Sequence, residues 1–436
     1  MQRIIIKNFG PISDIELDVK DFLIFIGPQA SGKSTISKSI YFFKSLRDDL
    51  IRYIFESVEK KEFDKPLSTY AKTIRKKFLS FWGPTQHLQD IFIQYNYNED
   101  IYINITLERT SKYVTPNFSQ AFKKGFTEIV SEVLQFLKTG NERDPKFLSS
   151  SELLAIESEK REFYNKIQQL STKLFAEGKD LIFIPAGRSL LATLSDQLHN
   201  IHPHKMDYLM MAFQDRINNS RALFNKSLPE MVTEKKKLTR DIIDTEAVSM
   251  AQKIIENILK GSYRFDREGE KLYFDQKKYT RLNFSSSGQQ ESLWILLLIF
   301  LIILENKAVF VVVEEPEAHL YPEAQKNMVD LISLLANYAH NQIIITTHSP
   351  YILSSVNNLM YAWKIGENSP KKVSPVINQR LWMDRRKLGA YFIEKGTSRS
   401  IVDEELELIQ AEAIDSASQL INEEYDFLFN LDETSM

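Results

Sequence analysis

The sequence predicts an α/β fold, and three observations carry that expectation. An apolar run, Phe22-Leu23-Ile24-Phe25-Ile26, leads straight into a glycine-bearing loop and then a helical pattern. Two further runs, Ala308 to Val313 and Gln342 to Thr347, lack polar alternation, as strands covered on both faces do. Each of these runs stops at chemically distinctive residues: Glu314-Glu315 after the first and His348 after the second.

Taken in order, Ile4-Ile5-Ile6 and Ile15, Leu17 and Val19 flank a turn at Gly10-Pro11 and read as paired strands. The third strand, the loop and a helix from Ser34 complete residues 1–45. Residues 46–179 change character, with helix formers and aromatics broken by alternation from Ile91 to Leu107, which predicts a hairpin around Asn98-Glu99-Asp100. Glu157 to Gly178 reads as one amphipathic helix closed by a glycine C-cap. Asp180 to Pro185 is another core strand, followed by Ala186-Gly187-Arg188-Ser189 and a helix. Residues 190–260 read as mostly helical up to Gly261, and Phe265 to Phe284 as a short meander. Leu293 to Leu304 is very apolar but falls short of the ~20 residues that span a bilayer, so it reads as a buried helix. Residues 371–436 read as a polar helical segment, with positions 406, 409, 413, 417 and 420 on one face. The expected organisation is therefore a head from 1–45 and 180–370, a mainly helical insertion at 46–179 with a β-hairpin, and a helical C-terminal segment at 371–436.

Composition sets outer bounds. The chain has 436 residues, 43% hydrophobic and 26% charged, which is ordinary for a globular protein. A net charge of −3 announces neither nucleic acid nor a membrane surface. With no cysteine, disulfides and Cys-ligated zinc or iron–sulfur sites are excluded, and a cytoplasmic location is expected. The N-terminus reads as a strand and not as a signal peptide.

Residues 27 to 35 spell GPQASGKST, the G-x-x-x-x-G-K-[ST] pattern in its required strand–loop–helix setting. The backbone N–H groups of Gly27, Pro28's neighbours Gln29 and Ala30, Ser31 and Gly32 can turn inward on phosphate oxygens, aided by the positive end of the following helix. Lys33 is expected at the β- and γ-phosphates, Ser34 on Mg²⁺, and Thr35 beside it. ATP and Mg²⁺ are the expected ligands. The apolar strand ending in Glu314-Glu315-Pro316-Glu317 is a Walker B pattern: Glu314 is expected to hold the metal, and Glu315 to orient or deprotonate the attacking water. His348 follows at the position of a γ-phosphate-sensing histidine. Ser285-Ser286-Ser287-Gly288-Gln289 opens the apolar helix, and hydroxyls with free N–H groups at a helix start form an anion site.

The order GPQASGKST, SSSGQ, VVVEEPEAHLYP, TTHSP resembles the ABC-type ATPases of the SMC, OLD and RecF group. Within that group it resembles especially the stand-alone ATPase subunits of bacterial anti-phage systems of the Septu and PARIS type. IIIKNFGPISDIEL and FIPAGRS resemble further segments of that group. The resemblance implies an ABC-ATPase-type P-loop head with a mixed sheet, and two heads sandwiching ATP. Lys33 and Glu314 of one copy would face Ser286, Ser287, Gly288 and Gln289 of the other. Residues after Glu315 through His319 and Leu320 would form a D-loop at that junction. It further implies a homodimer or higher homo-oligomer and a separate effector, a nuclease or toxin. Ser287 replaces the first signature glycine, Glu314 the usual aspartate, and Gln29-Ala30 the common Asn-Gly, which points to slow hydrolysis. Gln86, Gln89 and Gln94 all remain candidates for the Q-loop.

Long heptad arms of the SMC kind, a two-metal nuclease pattern after His348, and a transporter-like insertion are all absent from the sequence. His199, His202 and His204 read as a polar loop or a metal site. Arg75-Lys76-Lys77, Lys123-Lys124 and Lys235-Lys236-Lys237 with Arg240 read as solvated helix faces or a DNA-facing stripe. The stripe keeps open the alternative of a RecF-like, ATP-switched DNA clamp. Arg188, after a core strand, is a candidate for sensing nucleotide or an interface.

Overall fold

The computed structural model describes residues 2–85, 88–108, 111, 113–139, 150–193, 207–238, 243–403, 405–410 and 422–423. In chain order the strands and helices are β1 (Arg3–Phe9), β2 (Ile12–Asp18), β3 (Phe22–Ile26), α1 (Lys33–Lys60), α2 (Pro66–Trp82), β4 (Ile91–Asn96), β5 (Tyr102–Leu107), β6 (Thr115–Phe118), α3 (Gln120–Thr139) and α4 (Ser150–Phe175). They continue as β7 (Asp180–Ile184), α5 (Ser189–Thr193), α6 (Tyr208–Arg221), α7 (Leu228–Leu238), α8 (Thr245–Leu259), β8 (Ser262–Asp266), β9 (Gly269–Tyr273) and β10 (Tyr279–Arg281). The last are α9 (Ser287–Glu305), β11 (Val309–Glu314), α10 (Pro322–Ala336), β12 (Gln342–Thr347), α11 (Pro350–Gly366), α12 (Pro370–Val373), β13 (Leu388–Glu394) and β14 (Thr397–Ser400).

Two compact units emerge, and the boundary differs from the expected one. The first holds residues 1–19, 34–181 and 395–397. Its sheet runs β2-β1-β4-β5-β6 with antiparallel pairing throughout. The Gly10-Pro11 turn and the hairpin near Asn98 both form where expected, with Asn98 Oδ1 accepting the Asp100 and Ile101 amides. β1, however, offers its second edge to β4, with Ile6 opposite Ile93. The N-terminal strands therefore belong with the 46–179 segment. Backbone pairing of this kind leaves no mark in the side-chain pattern of either strand. α4 ends before Gly178, and the left-handed turn there falls on Ala176, φ 45°. Inside this unit Lys44 forms a buried ion pair with Glu177, and Arg47 donates to the Glu177 and Lys179 carbonyls.

The second unit holds residues 20–33, 182–394 and 398–436. Its six-stranded sheet has the order β14-β13-β3-β12-β11-β7, and the pairs β13–β3, β3–β12 and β12–β11 are parallel. β3, β11 and β12 are buried along their whole length, which accounts for their unbroken apolar sequence. α9 is the described helix long and apolar enough to cross a membrane, yet Glu291 to Leu304 is buried inside the protein, as expected of a core helix. The β8–β10 meander forms as a three-stranded sheet.

The C-terminal reading needs correction. Where residues 371–436 were expected to be helical, α12 is a single turn, and β13 and β14 follow. β13 pairs with β3, Phe392 opposite Ile26, and β14 lies beyond it at the sheet edge. Val402 bridges Ile409 across a turn, so positions 406 and 409 of the expected helical face are not in a helix; positions 413, 417 and 420 lie outside the described residues. The edge strand β14 is the short polar run Thr397–Ser400, which carries too little apolar signal to be told from a solvated segment.

Candidate functional site

Parallel register brings the three strand ends together. Thr347 of β12 stands opposite Ile26 of β3, and Thr346 opposite Glu314 of β11. The GPQASGKS loop, Glu314-Glu315 and His348 therefore leave one edge of the sheet side by side, where α/β sheets bind ligands.

The loop shows the backbone that phosphate cradles require. Gly27, Ala30 and Gly32 have φ of 152°, 58° and 109°. A Cβ on Gly27 would lie 2.1 Å from the Ile393 carbonyl oxygen, so only glycine lets β13 approach the loop. We expect Gly27→Ala to cost roughly 2–4 kcal/mol and lower the melting temperature measurably, because backbone must move. Lys33 Nζ donates to the Gly27 and Pro28 carbonyls at 2.9 and 2.7 Å. Burial pushes its pKa down, and the carboxylates of Glu315 and Glu317 oppose that. Ser31 Oγ is buried with no hydrogen-bond partner. Gln29 is exposed in the loop, and Ser34 and Thr35 are the second and third residues of α1, Ser34 exposed.

The acidic turn is organised by residues on either side of it. Glu314 is 5% exposed; its Oε2 accepts the Ala186 amide at 3.4 Å, and Oε1 is buried without a partner. Such an orphaned carboxylate oxygen is costly unless a cation or donor meets it. Mg²⁺ fits such an oxygen: the ion favours one or two protein oxygens with waters and phosphates, and Glu314 Oε1 offers one. Glu315 has φ 44°, a left-handed conformation costing about 1 kcal/mol or more for a side-chain-bearing residue, and its amide donates to Thr346 O at 2.9 Å. His348 Nε2 lies 3.5 Å from Glu315 Oε1, so the two expected catalytic groups do meet.

Three supporting residues escape sequence reasoning. Glu317 Oε1 accepts the Thr347 hydroxyl at 2.6 Å and the His348 amide at 2.8 Å, stapling the acidic turn to the end of β12 and His348. Gln325 accepts the Ser349 hydroxyl and donates to the Leu320 carbonyl. Glu291, inside the apolar helix, pairs with Arg188. A third acid in EEPE and a lone acid in an apolar run were the available signals. Arg188, a candidate for sensing nucleotide or an interface, is 2% exposed and spends its guanidinium on the Pro185, Glu291, Glu314 and Glu315 carbonyls.

The SSSGQ segment begins α9 as expected. Ser286 caps the helix, and Gln289 Oε1 accepts the Ser286 amide, forming a reciprocal capping box. Ser287 and Gly288 follow as its first two helical residues. A Cβ on Gly288 would come 2.6 Å from the His319 carbonyl oxygen, so this start of α9 sits against the turn expected to be the D-loop. Together they line a recess of about 230 Å³ with Lys260 and Tyr321.

Of the remaining candidates, Lys77 is paired with Asp49 and Arg75 Nε donates to the Val114 carbonyl, so two members of the basic stripe are engaged internally. Lys76, Lys123, Lys124, Lys236 and Lys237 are exposed. Gln94 lies in β4 and donates to Asn96, Gln89 lies just before β4, and Gln86, Arg240, His199, His202 and His204 fall outside the described residues.

A phosphate loop, a strand-end acid pair and a strand-end histidine on one sheet edge define a P-loop nucleotide-binding fold of α/β type. The chain belongs to the AAA ATPase domain family, whose model matches residues 1–353. Among solved structures, it is similar to an SMC head domain from Thermotoga maritima, at 12% identity over 92% of this chain and 97% of that one, TM-score 0.36. An Smc head bound to the C-winged helix domain of ScpA matches at 13% identity over 92% and 96%, TM-score 0.40. An Smc head with an extended coiled coil, bound to the C-terminal domain of ScpA derived from Pyrococcus furiosus, matches at 12% identity over 97% and 99%, TM-score 0.38. No curated protein matches the chain.

Proposed function

We propose that this chain hydrolyses ATP slowly, pairs head to head around ATP and Mg²⁺, and controls a separate effector, a nuclease or toxin, in anti-phage defence. The observation that supports the ATPase reading most is the meeting of Glu315 with His348 beside an unpartnered Glu314 oxygen. In this reading Lys33 holds the β- and γ-phosphates. Ser34 and Glu314 would hold Mg²⁺, which supplies charge neutralisation at the phosphates. Glu315 takes the proton of the attacking water, and His348 hydrogen-bonds the γ-phosphate or that water.

The exposed start of α9 supports pairing: Ser287 offers an amide and a hydroxyl at a helix N-terminus, a place suited to a phosphate brought by a second copy. The effector and defence role rest on the motif resemblance, as does assembly beyond a dimer, and the lack of cysteine suits work in the cytoplasm. Recovery of the tagged full chain from its native host is expected to bring down one stoichiometric second polypeptide with nuclease or toxin activity. Recovery of this chain alone would exclude the effector role. A DNA clamp would instead show ATP-dependent duplex binding with a steep salt slope.

A further inference from the structure

Glu291 sits on α9 two residues beyond Gln289, facing away from the proposed phosphate contact and into the unit's interior, 3% exposed. Its carboxylate receives the Arg188 amide at 3.0 Å and the Ser189 amide at 2.9 Å, gripping the loop between β7 and α5. Arg188 returns its Nε to the Glu291 carbonyl at 2.8 Å. The far side of the same guanidinium reaches the acidic turn: Nη1 donates to Glu314 O at 2.6 Å and Nη2 to Glu315 O at 2.9 Å. One planar group thus bridges the helix that begins at the signature and the backbone of both Walker B acids. A buried ion pair is a poor way to gain stability, since apolar residues of similar volume serve as well. This pair supplies direction instead. Every bond to the acids is to a carbonyl, which leaves their carboxylates available, and Glu315 is held in its left-handed conformation between Arg188 and Thr346.

We propose that Arg188, held by Glu291, is a positioning residue that couples nucleotide engagement at the start of α9 to the aim of Glu315. The proposal rests on the ATPase reading given above. Movement of α9 by a fraction of an ångström on meeting a phosphate is passed through the 186–189 loop to the Glu314 and Glu315 carbonyls. Lysine cannot replace the arginine, because one ammonium cannot span the two carbonyls and the Glu291 backbone together.

The test uses the full chain with Arg188→Lys, Glu291→Gln and the double variant, and Glu315→Gln as reference. Turnover, ATP affinity and hydrogen exchange with and without ATP are measured. Either single variant is expected to lose turnover by at least about tenfold, with ATP affinity within about threefold of wild type. The double variant should be no slower than the worse single, as coupled groups behave. In wild type ATP should protect amides of both residues 24–36 and 309–320; in the variants only the first segment should be protected. Full turnover, parallel loss of ATP affinity, additive losses or unchanged protection of 309–320 would each overturn the coupling. If Arg188→Lys does not fold, Glu291→Gln alone decides by the same readouts. Wild-type-like hydrolysis by Glu315→Gln would instead remove Glu315 from the catalytic role on which the coupling rests, and absence of turnover by the wild type would bring down the ATPase reading beneath it.

Discussion

Replacing Lys33 by alanine is expected to abolish ATP binding, weakening it by at least about 100-fold, or about 2.7 kcal/mol, since a charge-assisted contact to two phosphates disappears. The fold should survive, because the loop is shaped by Gly27, Ala30 and Gly32, and Lys33 contributes only two carbonyl contacts to it. Wild-type protein should melt at a higher temperature in ATP and Mg²⁺ than without, and the variant should melt at one temperature in both. A preserved ATP-dependent shift in the variant would show that the phosphates lie elsewhere.

Glu315→Gln has the second large effect. Glutamine matches glutamate in shape and can keep the φ 44° backbone, its amide bond to Thr346 and its carbonyl bond to Arg188. It cannot take a proton. Turnover should fall by about 10²–10⁴-fold while ATP affinity stays within a few fold, so ATP-bound protein accumulates. Light scattering should then find a dimer in ATP that persists for hours in the variant and decays in wild type. Normal hydrolysis by the variant would remove Glu315 from the catalytic role.

The candidate site was legible as a cluster because its residues are written into single strand–loop passages. Gly27 to Ser34, Glu314-Glu315 and His348 each follow an unalternating apolar strand, and parallel pairing alone then sets them side by side. What the sequence hid are long-range contacts made by ordinary residue types. Arg188 and Glu291 are 103 positions apart, and neither is marked as a partner of the other. β1 pairing with β4 moved the N-terminal strands out of the expected head, and β13 arose where a polar helix was expected. In each case the deciding term is backbone hydrogen bonding across the fold, which periodicity along one segment does not encode.

Whether the site is shared between two copies is the central claim, and complementation tests it most directly. Lys33→Ala removes the phosphate-binding side; Ser287→Glu places a carboxylate where a partner's phosphate would arrive, while a negative charge at the first helical position of α9 favours that helix. Each variant alone should be inactive. Mixed one to one, half the dimers pair unlike chains and hold one intact site, so turnover should return to roughly a quarter of wild type. Activity that stays at the level of the separate variants would mean that each chain completes its own site, and would contradict the account.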